Sequence, residues 1–411
     1  MSQLNNIDDW KYNLGLLPIN LFSSGIDNKY ILLNGGYGDF CIDIDADKSK
    51  EEYYSYAWSS NTKNFVTLKG NEINLYNWLK EKEENYKLSL VQENLPKFYS
   101  YLLKDSYKSE YDIIPFIIDI YRSLRHLTNE KEEGIQAINQ LLILLIAYEE
   151  KIDFNNIDFN KWGINNPIVS KGLESYLESF KNGLFFNNKK LKTNLDLLLR
   201  HSAGHLFQEA QKEAFFYNRN LTLWGTYDSG FNSKHKQYSS FHYTPSYLAR
   251  SIVEYSLSNL NLQGKNRLKI LDPACGSSEF LLEVLKQLKT LGYNGNIEIN
   301  GWDSSESAIN ISNFLLTYEK REWGDNLTIQ IEKVENSLAK EWDNDFDLIL
   351  MNPPFLSWEL MKKDDRELVT STLGENSRKK PNLASAFVSK SSQCLKEDGI
   401  IGTVIPSSIL L

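Results

Sequence analysis

The stretch Phe346-Asp347-Leu348-Ile349-Leu350-Met351-Asn352-Pro353-Pro354-Phe355 decides the fold class of the carboxyl-terminal part of the chain. It begins with a mostly apolar run of strand length, typical of a parallel strand buried on both faces. The two prolines end that strand, because proline cannot donate to a sheet ladder and holds the preceding residue extended. Asn352 is therefore predicted at the carboxyl end of a strand, where open α/β sheets bind ligands. An amide, a proline carbonyl and the Phe355 ring suit a flat ring that bears an amino group.

A second strand and a loop precede this stretch. Leu268-Lys269-Ile270-Leu271 predicts a strand that leaves the sheet sharply through Asp272-Pro273-Ala274-Cys275-Gly276, before a helix that begins at Glu279. Small residues let the backbone approach a ligand, and the helix presents its amino end to it. Residues 297–303 predict another strand, and its terminal acid Asp303 could accept hydrogen bonds from ribose hydroxyls or cap the next helix. The sequence therefore predicts an α/β domain with Rossmann-like order.

Three motifs in this order resemble the gamma class of S-adenosylmethionine-dependent adenine-N6 DNA methyltransferases, such as type I modification subunits and fused type IIG enzymes. They are Phe241-His242-Tyr243-Thr244-Pro245, the loop from Leu271 to Phe280, and Asn352-Pro353-Pro354-Phe355. The resemblance covers roughly the last two-fifths of the chain. It implies a class I methyltransferase fold, S-adenosylmethionine as cofactor, and N6 of an adenine flipped out of double-stranded DNA as the methyl acceptor. Restriction–modification or phage defence would be the setting.

The resemblance also implies site residues. Asn352 and the Pro353 carbonyl oxygen would hold the adenine amino group, Pro354 completes the motif, and Phe355 would stack on the flipped base. The cofactor would lie against Tyr243, Thr244, Pro245, Asp272, Pro273, Ala274, Cys275, Gly276, Phe280, Asp303, Ser304 and Asn336. The family usually has glycine where Ser278 stands, so we expect a slightly altered loop. No metal is expected, because methyl transfer needs none. For Thr244 alone, a helix cap would be the simpler interpretation.

The composition is that of a soluble globular protein, with 411 residues of which 41% are hydrophobic and 24% charged. Three widely spaced cysteines predict neither disulfides nor a zinc site, which favours a cytoplasmic location. No secretory signal and no apolar run long enough to cross a membrane is recognised. A net charge of −9 is unusual for a protein that binds phosphates with Lys and Arg. A second, basic chain is therefore a candidate partner. Candidate phosphate contacts lie in a predicted loop: Lys362, Lys363, Arg366, Arg378, Lys379 and Lys380.

Two segments are predicted before the methyltransferase domain at 219–411. Residues 1–95 form a mixed α/β segment, with two strands within residues 29–45 around a Gly-rich turn. Residues 96–218 form a helical domain with apolar stripes and an Asn- and Asp-rich connector at 153–167.

Two acidic or histidine-containing patterns in these segments could indicate metal chemistry. They are Asp39, Asp43 and Asp45, as in a nuclease, and His201, His205 and Glu209 on one helix face. Neither completes a metal motif, so a solvated acidic strand and a helix with packing and polar contacts are favoured.

The final predicted strand, residues 400–405, is followed by residues 406–411 alone. A doubly wound methyltransferase sheet continues further, and the gamma class places its target-recognition domain after it. We therefore expect an incomplete sheet, from a shortened chain, a split enzyme completed by a second chain, or a degenerate product. That second chain would supply the recognition domain or a nuclease. Two alternatives stay open: an RNA or protein-amide N-methyltransferase, and a non-catalytic cofactor-binding assembly subunit of a defence complex.

Overall fold

The computed structural model describes residues 4–33, 40–80, 82–104, 106–127, 133–216, 244–377 and 380–405. It divides into two compact units. The first unit comprises Met1–Ile157, Pro167–Ala210 and Leu288–Leu291, and the second comprises Asp158–Asn166, Gln211–Gln287 and Gly292–Leu411. The division of the chain at residues 95 and 218 stays a prediction. Among the described helices, none is long and apolar enough to cross a membrane.

The first unit contains a six-stranded sheet with its strands in chain order. Its neighbours pair antiparallel except the third and fourth strands, β3 Phe40–Asp43 and β4 Asn64–Lys69, which are parallel. The connection between β3 and β4 carries helix α2, Lys50–Ser59, whose first turn is fixed by a capping box between Ser49 and Glu52. The strands are β1 Leu17–Asn20, β2 Lys29–Leu33, β3 Phe40–Asp43, β4 Asn64–Lys69, β5 Glu72–Asn77 and β6 Lys82–Lys87. The two strands predicted within residues 29–45 are confirmed as β2 and β3.

Asp43 is not on a solvated strand face, so that expectation is wrong for this residue. Its side chain is fully buried and accepts a hydrogen bond of 2.8 Å from the Tyr53 hydroxyl. Lys29 Nζ, also buried, lies 3.4 Å from Asp43 Oδ2, which compensates the charge. Asp45 is exposed as expected, and Asp39 lies outside the described residues.

Helices make up most of the remaining first unit. The apolar stripes predicted from the sequence are confirmed as core, since Ile117, Tyr121, Leu141 and Leu142 are all fully buried. A short antiparallel pair, β7 Leu184–Phe186 and β8 Lys189–Leu191, lies between two of the helices. The helices of this part of the chain are α1 Ile7–Leu14, α3 Leu88–Glu93, α4 Leu95–Lys104, α5 Ile113–Leu124, α6 Glu133–Glu150, α7 Leu173–Asn182 and α8 Leu195–Phe216.

The second unit is built on a five-stranded parallel sheet of order β11-β10-β9-β12-β13. Its strands are β9 Arg267–Asp272, β10 Asn296–Asp303, β11 Leu327–Lys333, β12 Phe346–Met351 and β13 Leu395–Thr403. The helices of this part of the chain are α9 Ser246–Asn259, α10 Glu279–Thr290, α11 Glu306–Trp323, α12 Lys363–Leu373 and α13 Leu383–Cys394. The chain runs outward from β9 to β11 and then returns to β12 on the other side of β9. The predicted α/β fold with Rossmann-like order is confirmed.

Strand β12 is buried along its whole length, which explains its apolar sequence. Its one charged residue, Asp347, is 1% exposed. The Asp347 carboxylate accepts hydrogen bonds from Lys265 Nζ (2.9 Å) and Lys396 Nζ (2.8 Å) and from the backbone N–H of Lys269 (2.9 Å). Burial alone would raise the pKa of Asp347, but these donors outweigh it and lower the pKa. The buried charge is thus satisfied at the amino-terminal end of the sheet, away from Asn352.

Candidate cofactor and substrate site

The sheet brings the two predicted motifs to one place. Strands β9 and β12 are direct parallel neighbours, with Ile270 opposite Leu348 and Leu271 opposite Ile349. Asp272 is the last residue of β9, and Asn352 directly follows β12. Both side chains therefore lie at the carboxyl edge of the sheet where the strand order reverses, the usual ligand position in such sheets.

The loop after β9 folds over the end of β10. Asp272 Oδ1 accepts from the Ala274 N–H (3.0 Å), and the Cys275 N–H donates to the Trp302 carbonyl (2.9 Å). The Gly276 N–H donates to Asp303 Oδ2 (3.0 Å). The carboxyl ends of β9 and β10 are thus joined by three residues of the loop, and both predicted acids lie beside it.

Two residues of this loop adopt the left-handed backbone conformation. Gly276 has φ +52° and Ser278 has φ +64°, a conformation that costs little for glycine and more for other residues. Ser278 is fully buried and Ser277 is 3% exposed. The Ser277 hydroxyl has no hydrogen-bond partner among the described residues. The loop therefore keeps the backbone that a glycine would favour at 278, and it holds a buried polar atom that a ligand could satisfy.

The two acids at this edge differ in exposure, since Asp272 is 1% exposed and Asp303 is half-buried. Burial, with a smaller contribution from the nearby charge of Asp303, raises the pKa of Asp272 to about 8, even though the Ala274 N–H opposes the shift. Burial also raises the pKa of Asp303, against N–H donors from Ser305, Gly276 and Ser304. Asp303 Oδ1 accepts the Ser305 N–H at 2.8 Å, so it also supports the start of α11. Ser304 itself is exposed.

The remaining predicted cofactor residues differ in their surroundings. Thr244 is half-buried, and Pro245 occupies the cap position of α9 without any side-chain cap bond, so Thr244 does not cap this helix. Phe280 is 2% exposed and lies in the interior. Asn336 Oδ1 accepts the Leu338 N–H (3.1 Å), which gives this amide a turn-forming role. Tyr243 lies outside the described residues.

The Asn-Pro-Pro-Phe motif forms a turn whose carbonyl groups are used unequally. The Met351 carbonyl accepts the Val404 N–H (3.0 Å), and the Pro354 carbonyl accepts the Leu356 N–H (3.2 Å). Between them, the Pro353 carbonyl accepts no hydrogen bond from the residues that the structure describes. Asn352 and Phe355 are half-buried and Pro353 is buried. Within the described residues, the Pro353 carbonyl therefore keeps its capacity to accept a hydrogen bond.

The basic stretch after the motif is partly helical, which corrects the predicted loop. Lys363 and Arg366 lie on α12, and Lys362 is its cap residue. Arg366 Nε donates to the Trp358 carbonyl (2.9 Å), and Lys380 Nζ donates to Glu359 (2.9 Å). Arg378 and Lys379 lie outside the described residues. These contacts tie the basic side chains to the turn after the motif, and phosphate binding by them stays a prediction.

The histidine pair of α8 makes polar contacts, as predicted. His201 Nε2 lies 2.6 Å from the Leu21 carbonyl oxygen, and His205 Nε2 lies 3.9 Å from Glu209 Oε1. Within the described residues, no group of three or more His, Cys, Asp or Glu side chains is arranged to hold a metal ion.

One buried contact at the site was not expected from the sequence. Ser312 on α11 is fully buried and its hydroxyl donates to the Gly276 carbonyl (2.8 Å). Gly301 on β10 allows the loop to approach, because a Cβ there would lie 3.2 Å from Cys275 Sγ. The small residues at 301 and 312 are the only sequence signal for this close packing.

Comparison with known proteins finds a matching family model and curated relatives. Residues 229–411 match the family model described as N-6 DNA Methylase. The chain is 28% identical over 183 residues to the type II methyltransferase M.BanIII of Aneurinibacillus aneurinilyticus. That alignment covers 41% of this chain and 30% of M.BanIII. The chain is 27% identical over 180 residues to the type II methyltransferase M.VspI of Vibrio sp. (strain 343), covering 44% and 40% respectively.

The chain therefore spans less than half the length of these two curated relatives. Among solved structures, the type IIG restriction endonuclease BpuSI aligns with a TM-score of 0.41 and 12% identity. That alignment covers 98% of this chain and 50% of BpuSI.

Proposed function

We propose that the second unit binds S-adenosylmethionine and methylates N6 of an adenine in double-stranded DNA. The observation that carries the proposal is the meeting of two motifs at the strand-order reversal: the acid-bearing loop after β9 and Asn352-Pro353 after β12. The family match of residues 229–411 supports it. The sheet and loop alone would fit many ligands, so the choice of substrate rests on the Asn-Pro-Pro-Phe turn.

The residues beside the loop fit S-adenosylmethionine. Asp303, held by the Gly276 and Ser305 N–H groups, has lone pairs left to accept ribose hydroxyls. Buried Asp272, with no cation in hydrogen-bond contact among the described residues, would accept the ammonium group of the methionine end. The Ser277 hydroxyl and the half-buried Thr244 offer further polar atoms. Asn336, Phe280 and Ser304 would complete the surroundings of the adenosine.

The Asn-Pro-Pro-Phe turn would position the substrate amino group. S-Adenosylmethionine, when bound, would supply a methyl group on a sulfonium sulfur: the S–CH3 bond breaks as the N6–CH3 bond forms, S-adenosylhomocysteine is the leaving group, and one N6 proton passes to solvent. Adenine N6 is a weak nucleophile because its lone pair is delocalised into the ring. Asn352 Oδ1 and the Pro353 carbonyl oxygen would each accept one N6–H, which favours a tetrahedral nitrogen with its lone pair directed at the methyl carbon. Positioning and electrostatics carry the catalysis, and no general base with a shifted pKa is required.

Duplex DNA requires the adenine to leave the base stack. Extrusion costs a few kcal/mol, and stacking on an aromatic ring returns about 1–3 kcal/mol. Phe355, half-buried directly after the prolines, is the residue we assign to this stacking. DNA contacts, a second chain and a defence setting are part of the same proposal.

Calorimetric titration with S-adenosylmethionine tests the cofactor half of the proposal. We expect micromolar binding to the full chain and at least a tenfold weaker affinity for Asp303→Ala, since an acceptor for two hydroxyls is lost. Asp325→Ala is the matched control, because Asp325 is exposed. Equal affinity of all three proteins, or none for the wild type, would contradict the proposal.

The acceptor is tested by offering labelled cofactor with duplex DNA, ribosomal RNA or a glutamine-containing peptide. Label in DNA alone supports adenine methylation. Label in RNA or peptide would move the chain to one of the other amino-group methyltransferase classes. Binding without transfer to any of the three would support an assembly subunit.

A further inference from the structure

The segment Asp158–Asn166, here called the strap, lies against helix α11 within the second unit. The sequence predicts this segment as part of the Asn- and Asp-rich connector at residues 153–167. Trp162 is 1% exposed and its ring centroid lies 5.4 Å from that of Phe314. Ile164 is also buried. A connector that buries its aromatic and aliphatic residues is part of the domain it touches.

The strap backbone is held by two asparagines of α11. The Asn165 N–H donates to Asn310 Oδ1 (3.0 Å), and Asn310 Nδ2 donates back to the Asn165 carbonyl (3.2 Å). Asn313 Nδ2 donates to the Gly163 carbonyl (2.9 Å). Asn310 is fully buried, a costly place for an amide unless both its polar atoms are bonded. Its pairing with a peptide group satisfies it on both sides.

The fit is close at one further point. Gly163 has φ +60°, and a Cβ at this position would lie 2.9 Å from Asn313 Cβ. Asn166 Nδ2 donates to Glu306 Oε1 (2.8 Å) at the start of the helix. The contacts Glu306, Asn310, Asn313 and Phe314 follow helical spacing and mark one face of α11.

The opposite face of α11 supports the cofactor loop. Ser312 is two residues from Asn310, about 200° around the helix, and its hydroxyl donates to the Gly276 carbonyl (2.8 Å). The helix begins at the Ser305 turn, whose N–H donates to Asp303 (2.8 Å), and Asp303 in turn accepts the Gly276 N–H (3.0 Å). A shift of α11 would therefore move both Gly276 and Asp303.

We propose that the strap is a positioning element of the cofactor site: by clamping α11 from one side, it sets the position of Gly276 and Asp303 on the other. Asn310 is its central positioning residue. This inference rests on the proposed binding of S-adenosylmethionine. It assigns part of the amino-terminal half of the sequence, which carries no methyltransferase motif, to the affinity for the cofactor.

The test is the affinity for S-adenosylmethionine of full-chain variants that are folded by near-ultraviolet circular dichroism. Asn310→Ala removes both clamp bonds and is expected to raise Kd about tenfold, and Asn313→Ala about threefold. Two matched controls are expected to stay within twofold. Asn165→Ala removes an exposed side chain but keeps both backbone bonds, and Lys320→Ala changes an exposed residue of the same helix.

Hydrogen exchange of residues 158–166 measures release of the strap in the same proteins. Faster exchange there in Asn310→Ala, with an unchanged Kd, would overturn the proposal, because the strap would then be purely structural. An equal rise of Kd in Asn165→Ala would also overturn it. If Asn310→Ala does not fold, Asn313→Ala, which loses one bond from a half-buried side chain, decides between the same outcomes. Absence of binding by the wild type would instead refute the proposed function.

Discussion

Asp272→Asn is predicted to stabilise the second unit while it weakens cofactor binding. The carboxyl group is 1% exposed, and burial raises its pKa to about 8. In the unfolded chain the same group would have its ordinary pKa of 3.8. Asparagine has the same shape, keeps an oxygen for the Ala274 N–H and has no charge to bury, so it removes the cost of ionisation.

The sign and size of the effect of Asp272→Asn on the free energy of unfolding follow from proton linkage. Between these two pKa values the folded chain holds a proton on Asp272 that the unfolded chain has released. The contribution of Asp272 to stability is therefore fully present below the unfolded pKa and is lost as pH rises toward 8. Each pH unit is worth about 1.4 kcal/mol. The free energy of unfolding of Asp272→Asn, relative to wild type, should accordingly increase by about 3 kcal/mol between pH 5 and pH 7.

Native-state hydrogen exchange of peptides from β9 and β12 measures this difference, since wild type and variant are compared at the same pH. Asp347→Asn is a control of opposite character. The Lys396 and Lys265 donors lower the pKa of Asp347 despite its burial, so its contribution is lost only as pH falls through the folded pKa. The Asp347→Asn substitution should therefore destabilise the second unit by the same amount at pH 5 and at pH 7. If the difference in the free energy of unfolding between Asp272→Asn and wild type is the same at pH 5 and pH 7, burial does not raise the pKa of Asp272.

Two further predictions concern the same loop. Only ionised Asp272 can pair with an ammonium group, so the affinity for S-adenosylmethionine should increase by up to about tenfold for each unit by which pH is raised toward 7.5. Binding would release the Asp272 proton to the buffer, which calorimetry in buffers of different ionisation enthalpy would show. An affinity that does not change with pH would exclude this role. Ser278→Gly should raise the free energy of unfolding by about 1 kcal/mol, because Ser278 has φ +64°; urea denaturation measures it, and a loss of stability would mean that the buried hydroxyl outweighs the backbone strain.

The parts of the site that were predictable from the sequence are local in the chain. Strand β12 is buried on both faces, so its apolar run and the two prolines fixed both its fold and the position of Asn352. The loop after β9 could be placed for the same reason, because its small residues and Asp272 follow a buried strand directly. In both cases the residues that determine the structure are chain neighbours.

The corrections arose where distant or competing signals decide the structure. Asp43 is buried because Lys29 faces it from the neighbouring strand, a pairing that depends on register. The loop predicted around Lys363 and Arg366 is wrong, because Asp364 and Asp365 in the first turn favour a helix start and Gly374 ends that helix. The strap partners Asn165 and Asn310 lie 145 residues apart, so no local pattern could pair them.

The turn at Asn352 is proposed to direct a methyl group to N6 of adenine in DNA. Incubation of the full chain with methyl-deuterated S-adenosylmethionine and duplex DNA, followed by mass spectrometry of the nucleosides, tests it most directly. We predict deuterated N6-methyladenine from the wild type, and at least a hundredfold less from Asn352→Ala at unchanged cofactor affinity, since a hydrogen-bond acceptor made for the transition state is worth about 3 kcal/mol. Deuterium in another base, or equal product from both proteins, would contradict the account.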